Sequence, residues 1–194
     1  MHERGDIEAA KKAIVDAMEK FPHDVQLEHV NLVLELFITL NEHEEALELL
    51  CKRCGAKFES DLSGSEISQM NHEEQLKVFK KVNLPPNTPV DIHAKLIVVL
   101  LNLQASHLAW PLAQPLVGLQ VIFEYSEIFF SLNRFIYLIS RVFFSLQVNE
   151  YGDLMLDIAE AFMSQRLFQE SVGFLKQLVE NENYSKAAVW LRFV

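Results

Sequence analysis

The sequence is poor in the residues that mark turn-rich β folds, disulfide-bonded proteins and secreted proteins. Only 6 glycines and 6 prolines occur among 194 residues, a composition that suits helices better than β-turns. Two cysteines, Cys51 and Cys54, are too few for a disulfide framework and indicate a reducing compartment, the cytosol or the nucleus. Residues 1–25 are charged and amphipathic, without the apolar segment of a secretory signal.

Positive charge and long apolar runs are also scarce. The net charge of −10 excludes nucleic-acid binding through a bulk positive field, although it does not exclude membership of a nucleic-acid machine. A Phe-rich stretch at residues 117–148 is interrupted by Glu124, Glu127, Arg134 and Arg141. Its uncharged runs are shorter than the roughly 18–20 apolar residues that a membrane-spanning helix needs, so we expect no membrane association.

What the chain does contain is apolar periodicity of helical type. Two amphipathic helices stand back to back at residues 24–40 and 42–54, the first with Val30, Val33, Leu34 and Phe37 on one face. Similar patterns predict helices at residues 5–22, 90–103, 105–116, 152–165, 168–180 and from 184 onward. Residues 90–103 are apolar almost all round, which predicts an interior helix. These patterns place the protein in the all-α class.

The helices form pairs that are spaced like repeats. Small residues near the start of each second helix, Ala10, Ala46, Ala109 and Ser171, lie 36, 63 and 62 residues apart. The first spacing is close to the roughly 34-residue period of tetratricopeptide repeats. An acidic loop accounts for the extra length of the 63-residue spacing, and the Phe-rich stretch accounts for the extra length of the 62-residue spacing. We therefore predict an interrupted array of helical hairpins.

The predicted array has five segments. They are TPR-like helices at 5–54 (half a repeat plus a full one), an acidic linker at 55–89 with one short helix near residues 71–82, a TPR-like helix pair at 90–116, an apolar insertion at 117–148, and a TPR-like pair with the start of another repeat at 149–194. Residues 59–74 contain five acids and no Lys or Arg, and are too weakly apolar to offset the entropy of ordering. The acidic segment is therefore expected to be a disordered loop, or alternatively a docking segment regulated by phosphorylation of Ser60, Ser63, Ser65 or Ser68.

Specific residues resemble the tetratricopeptide-repeat family. Gly5-Asp6, the small residues Ala10 and Ala17, and Pro22 match the second half of that repeat, and residues 42–50 match it again. Leu34 and Ile97 stand where the repeat favours glycine, so the repeats are degenerate. The repeat positions assigned in this way are Ala10, Ala17, Pro22, Ala46, Ala109 and Ala159.

A closer resemblance is to the tetratricopeptide-repeat subunits of transcription factor TFIIIC. It rests on a Pro-Val-Asp-Ile helix start at residues 89–92, a Gly-Asp-Leu segment at 152–161, and Ala-Ala-Val-Trp-Leu-Arg at 187–192, all in the family's order after an acidic loop. The resemblance implies a stacked helical-hairpin solenoid in the nucleus. It also implies a non-catalytic scaffold that contacts other TFIIIC subunits and TFIIIB components in RNA polymerase III transcription initiation, without direct sequence-specific nucleic-acid binding.

Such solenoids bind partners along a concave face lined by the first helix of each pair. On that basis the residues expected to face a partner are Glu28, Asn31, Glu35, His93, Asn102 and Asp157. The alternative is a generic adaptor, for example for chaperone docking. That role usually requires a Lys/Arg/Asn clamp for a carboxylate, and the first helices show no such clamp in sequence.

Residues 117–147 do not resemble the family, and two interpretations remain open. They are either a lineage-specific helical insertion or translated intron sequence, because Val-Phe-Phe-Ser-Leu-Gln at 142–147 is what a pyrimidine-rich tract ending in CAG would encode. Continuous coding support in transcripts across residues 117 and 147 would exclude the intron.

No pattern of catalytic, cofactor or metal chemistry stands out. Cys51 and Cys54 form a lone CxxC without the second pair that a structural zinc site usually has, and they are expected to pack at a helix end. His43 and His72 lack the second histidine of HExxH, and His93 is expected to be packed or groove-lining. The sequence also lacks a glycine-rich phosphate loop, and we expect no enzyme activity, cofactor or metal.

Overall fold

The computed structural model describes residues 2–117 and 151–179, together with Asn181 and Tyr184. The chain divides into two units, residues 1–109 and 110–194, which are described separately. In chain order the elements are α1 (His2–Lys20), α2 (Leu27–Leu40), α3 (His43–Cys54), β1 (Lys57–Glu59), α4 (Gly64–Ile67), α5 (His72–Val78), β2 (Lys81–Asn83), α6 (Val90–Asn102), α7 (Ser106–Val117), α8 (residues 151–164) and α9 (Phe168–Val179).

The all-α class is confirmed for these residues, which are mostly helical with one small sheet. The tetratricopeptide-repeat solenoid itself stays a prediction, as do the domain boundaries. The predicted insertion at 117–148 lies almost wholly outside the described residues, as does the third helix expected from residue 184. Within the described part of the chain, no helix has both the length and the apolar character needed to cross a membrane.

The ends of α2 and α3 are set by residues whose backbone conformation or hydrogen bonding suits a helix end. Asn41 ends α2 in the left-handed region (φ 62°), a conformation that asparagine tolerates better than most side chains. Glu42 follows, and its N–H donates to Phe37 O at 2.8 Å, which satisfies a carbonyl of the last turn. Gly55 ends α3 at φ 71°, where a Cβ would also stand 3.3 Å from Pro85 Cγ. The hairpin bounds therefore follow from helix-end chemistry.

The helices of the first unit pack in series. α1 contacts α2, α2 contacts α3, α3 contacts α6, and α2 also contacts α6. Val33, Leu34, Ala46 and Leu50 are completely buried at the centre of this stack. Helix α6 is buried nearly all round, which confirms the interior position predicted from its apolar pattern. Each amphipathic face is thus covered by the next helix rather than by its own hairpin alone.

The segment at residues 55–89 differs from the disordered loop that the acid run predicts. β1 and β2 pair antiparallel with Phe58 opposite Val82, and α4 and α5 lie between them. Phe58 and Phe79 have ring centroids 4.8 Å apart, while Leu76 and Val82 are buried. These apolar side chains lie at the ends of the acid run, so the segment gains burial there while its acids stay in water. The short helix expected near residues 71–82 is α5.

Helix α7 contains two prolines, and it crosses the boundary between the units. Pro115 does not end this helix, because α7 continues to Val117, close to the end predicted at residue 116. Pro111 and Pro115 are four residues apart, so the carbonyl that would have accepted a bond from the missing N–H of Pro115 is that of Pro111 itself. The two backbone hydrogen bonds that the prolines cannot donate are therefore both missing from the same side of the helix.

The described part of the second unit is held by aromatic and small residues. The Phe162 ring lies edge-on to Trp110 at 5.8 Å and stacked with Phe174 at 6.0 Å. Ser171 Oγ donates to Ala159 O at 2.9 Å, and both residues are buried. The apolar spacing of residues 168–180 predicts a buried face formed by Val172, Leu175 and Leu178. That prediction is wrong for Val172, which is 42% exposed. The helix turns Ser171 and Phe174 inward instead, because the serine hydroxyl finds a backbone acceptor.

Candidate partner-binding surface

Three of the residues expected to face a partner lie together on α2. Glu28, Asn31 and Glu35 fall within about 60° of one another around the helix axis, since each residue turns a helix by about 100°. Glu28 and Glu35 are exposed, and Asn31 is half-buried. Leu32 lies beside them and is 51% exposed, which makes it an apolar side chain among acids. This strip is the exposed side of α2, opposite Val33 and Leu40 in the core.

The boundary between α2 and α6 carries a polar junction. Lys95 on α6 is only 9% exposed, and its Nζ donates to Asn31 O at 3.0 Å and pairs with Glu35 Oε2 at 2.8 Å. A buried ammonium requires such partners, because an uncompensated charge in the interior is costly. Asn31 Oδ1 is buried as well and accepts no hydrogen bond in the described structure. Asn31 therefore keeps an unused acceptor next to the junction.

The two expected residues on α6 lie on different sides of that helix. Asn102 is seven residues from Lys95 and shares its face, so it extends the surface away from the junction. His93 is two residues from Lys95, about 200° around the axis, and lies on the opposite side. His93 is half-buried, and burial lowers its imidazole pKa below the usual value. The surface on α2 and α6 thus comprises Glu28, Asn31, Leu32, Glu35, Lys95 and Asn102.

The remaining expected residue, Asp157, belongs to the second unit. It is exposed on α8. The assigned repeat positions divide by burial. Ala46, Ala109 and Ala159 have no exposed surface, whereas Ala10, Ala17 and Pro22 are exposed.

Cys51, Cys54 and His43 are partly or fully buried side chains of α3. Cys51 and Cys54 are free thiols in the last turn of α3, and burial raises the pKa of both. Burial lowers the pKa of the His43 imidazole below its usual value, and the nearby Glu45 carboxylate opposes that shift in part. The described ranges contain no group of three or more His, Cys, Asp or Glu side chains placed to hold a metal ion.

Sequence reasoning missed Lys95 and Leu32. Lys95 is the one basic residue in α6, within a helix that is otherwise mainly apolar, and a lone lysine in such a context is a signal for a specific partner. The partner, at Glu35, is 60 residues away in the chain, so periodicity alone could not supply it. Leu32 is an apolar residue on the polar face of α2, so its departure from the helical apolar pattern was a signal that the sequence offered.

Comparison with known proteins relates the chain to a human protein. The chain is similar to human general transcription factor 3C polypeptide 3, with 28% identity over 191 residues. That stretch covers 98% of this chain but only 18% of the human protein, so the chain spans less than a fifth of its relative. No family model matches the chain. No solved structure matches it either.

The match agrees with the resemblance indicated by the motifs. Its coverage of 98% means that the aligned span includes residues 117–147, which the motif comparison had set apart. The hypothesis that these residues are translated intron sequence stays a prediction, and residues 118–147 lie outside the described structure.

Proposed function

We propose that this chain is a non-catalytic protein–protein interaction scaffold of a TFIIIC-type complex, built from degenerate tetratricopeptide repeats. The similarity to general transcription factor 3C polypeptide 3 across 98% of the chain is the observation that carries the proposal. The serial packing of α1, α2, α3 and α6, with α2 also touching α6, supports it, because stacked hairpins make neighbour contacts of this kind.

The partners proposed are other TFIIIC subunits and TFIIIB components, in the nucleus, during RNA polymerase III transcription initiation. Contact would be made through the surface on α2 and α6, where exposed Leu32 lies between Glu28 and Glu35. An apolar side chain flanked by acids suits a partner segment that presents an apolar residue next to a basic one. Direct reading of a nucleic-acid sequence is not part of the proposal.

The second candidate is a generic adaptor that clamps a carboxylate, as in chaperone docking. The junction of Lys95 and Asn31 favours it, since a lysine and an asparagine meet there across two first helices. However, Glu35 of the same chain already supplies a carboxylate to Lys95 at 2.8 Å. A peptide carboxylate would have to displace it, which makes the scaffold the better-supported function.

A pull-down with the tagged full chain from nuclear extract distinguishes the two. We expect identified TFIIIC or TFIIIB components to be recovered, and Leu32→Asp to reduce that recovery about tenfold, the effect of losing one buried anchor. Val172→Asp is the matched control, because Val172 is a similarly exposed apolar residue in the second unit. Recovery of chaperone tails alone, or equal recovery with both variants, would contradict the proposal.

A further inference from the structure

A cleft of about 300 Å³ separates α1 from α3 in the first unit. Its floor is α2, through Val33 and Phe37, and its walls carry Val15 and Met18 on α1 and Leu49 on α3. The volume is about twice the roughly 150 Å³ of an apolar cavity that accommodates a benzene ring. The cleft can therefore take one large apolar side chain, such as Leu, Met or Phe.

Two polar contacts connect α1 with α3, or with the residue just before it, at the two ends of the cleft. Before α3 begins, Glu42 accepts two bonds from Lys11 Nζ, at 2.5 and 2.6 Å, and the same ammonium lies 5.6 Å from the ring centre of Phe37. In the last turn of α3, Arg53 Nη2 donates to Met18 O at 3.5 Å. α1 is thus connected to the residue just before α3 and to the last turn of α3, so the space between the two helices is part of their packing.

The rim of the cleft has an excess of negative charge. Three glutamates line it, Glu19 on α1 and Glu45 and Glu48 on α3, against two basic residues. Lys52 is paired with Glu48, and Arg53 is bonded to the Met18 carbonyl. Glu19 and Glu45 form no ion pair within the described residues, and both are exposed.

We propose that this cleft is a docking site for a basic, amphipathic segment of a partner protein, which inserts one apolar side chain and places Lys or Arg beside Glu19 and Glu45. Charge complementarity selects this occupant over a second copy of the chain, since the chain carries a net charge of −10. The site is distinct from the surface on α2 and α6. It rests on the proposed function only in taking its occupant to be a protein.

The test starts from random 12-residue peptides displayed on phage and selected against the full chain. We expect the enriched peptides to combine a large apolar residue with Lys or Arg. Fluorescence anisotropy of these peptides should show about tenfold weaker binding to the double variant Glu19→Lys/Glu45→Lys, and about tenfold weaker binding when the apolar residue of the peptide becomes Ala.

The matched control is Asp16→Lys/Glu44→Lys. It reverses two exposed acids on the same two helices, with the same change in net charge, at positions that do not line the cleft. Binding to this control should change by less than about threefold, the size of a long-range charge effect at physiological salt. Thermal melts of both double variants establish that they are folded.

Several outcomes would overturn the docking site. They are an enrichment of acidic peptides, equal binding to both double variants, no enriched peptide at all, or self-association of the chain that is lost in Glu19→Lys/Glu45→Lys. Leu32→Asp should bind the same peptides as the parent chain does. Failure of the surface on α2 and α6 is therefore distinguishable from failure of the cleft.

Discussion

At the scale of single residues, small side chains decide where helices approach closely. Ala46, Ala109 and Ala159 are fully buried, and Ala46 lies in α3, which packs against α2 and α6. Ala10 and Ala17 belong to the same sequence pattern but are exposed on α1. A small residue at a repeat position therefore becomes a crossing point only where a helix covers it.

Enlarging a buried crossing residue should destabilise the protein. Ala46→Leu adds three carbons where no surface is exposed, and we expect it to lower the free energy of unfolding by about 1–3 kcal/mol through overpacking. Urea denaturation measured by circular dichroism would give the change. Ala17→Leu, at an exposed site on α1, is the control and should be close to neutral. Equal effects of the two substitutions would mean that the helices do not cross at Ala46.

Lys95 shows how one buried charge is accommodated. Its ammonium leaves water for a site where Asn31 O and the Glu35 carboxylate replace the lost hydration. Glu35 itself is 58% exposed at its side chain, so solvent screens the pair and the net gain is small. The pair connects α6 to α2, because both partners of the Lys95 ammonium belong to α2.

At the scale of elements, the segment between α3 and α6 is the part that local sequence describes least well. Strands of three residues are too short to show a period, and β1 and β2 lie more than 20 residues apart. Their pairing becomes favourable only when Phe58, Leu76, Phe79 and Val82 are buried together. Acids in solvent between these residues do not oppose that burial.

Removing the ring of Phe58 should loosen this element specifically. Phe58→Ala takes away the contact with Phe79, and we expect the β2 amides at residues 81–83, together with the Lys80 amide that donates to Glu59 O, to lose protection. Amide hydrogen exchange would show rates about tenfold or more higher there, because an aromatic pair is worth about 0.5–1.5 kcal/mol beyond its buried area.

Amides of α2 are the internal reference for that measurement. They should keep their exchange rates, because the core of the hairpin does not involve the strand pair. A uniform increase over both regions would indicate that the strands and helices unfold as one unit and would contradict this expectation.

Helix α9 illustrates a second limit of periodicity. Apolar spacing favoured Val172, Leu175 and Leu178 as the buried face, yet Val172 is exposed while Ser171 and Phe174 are inside. A serine is normally assigned to the wet side of a helix. Its burial depends on the carbonyl of Ala159, 12 residues earlier, which no local pattern reveals.

At the scale of the whole molecule, two half-buried histidines should make stability depend on pH. Burial lowers the pKa of His43 and His93 below the ordinary value near 6.5, so the unfolded chain binds protons at a pH where the folded protein does not. Stability is therefore fully present above about pH 6.5 and is lost as the pH falls through the lowered values. We expect the urea concentration at the midpoint of unfolding to decrease when the pH is lowered from 7.5 to 5.5.

The double variant His43→Gln/His93→Gln should flatten this dependence. Replacing the exposed His23 by Gln should leave it unchanged, which controls for the loss of a histidine as such. An unaltered slope in the double variant would mean that groups other than these two imidazoles carry the pH response.

Local sequence was sufficient for the elements and for much of the core. Periodicity located α1, α2, α3, α6 and α9 to within a few residues, and the all-round apolar pattern of α6 predicted its interior position. Asn41 and Gly55 stop their helices for reasons of backbone conformation that need no tertiary context. These features depend on residues within one or two turns of each other, so they can be read directly from the order of the chain.

Contacts between distant residues decided the rest. The pairing of Lys95 with Glu35, the antiparallel strands in the acidic segment and the cleft between α1 and α3 all join residues far apart in sequence. Their free energy depends on burial and on partners that exist only once the helices have packed. For that reason the sequence alone predicts the fold class, whereas only the tertiary structure shows the surfaces that could recognise a partner.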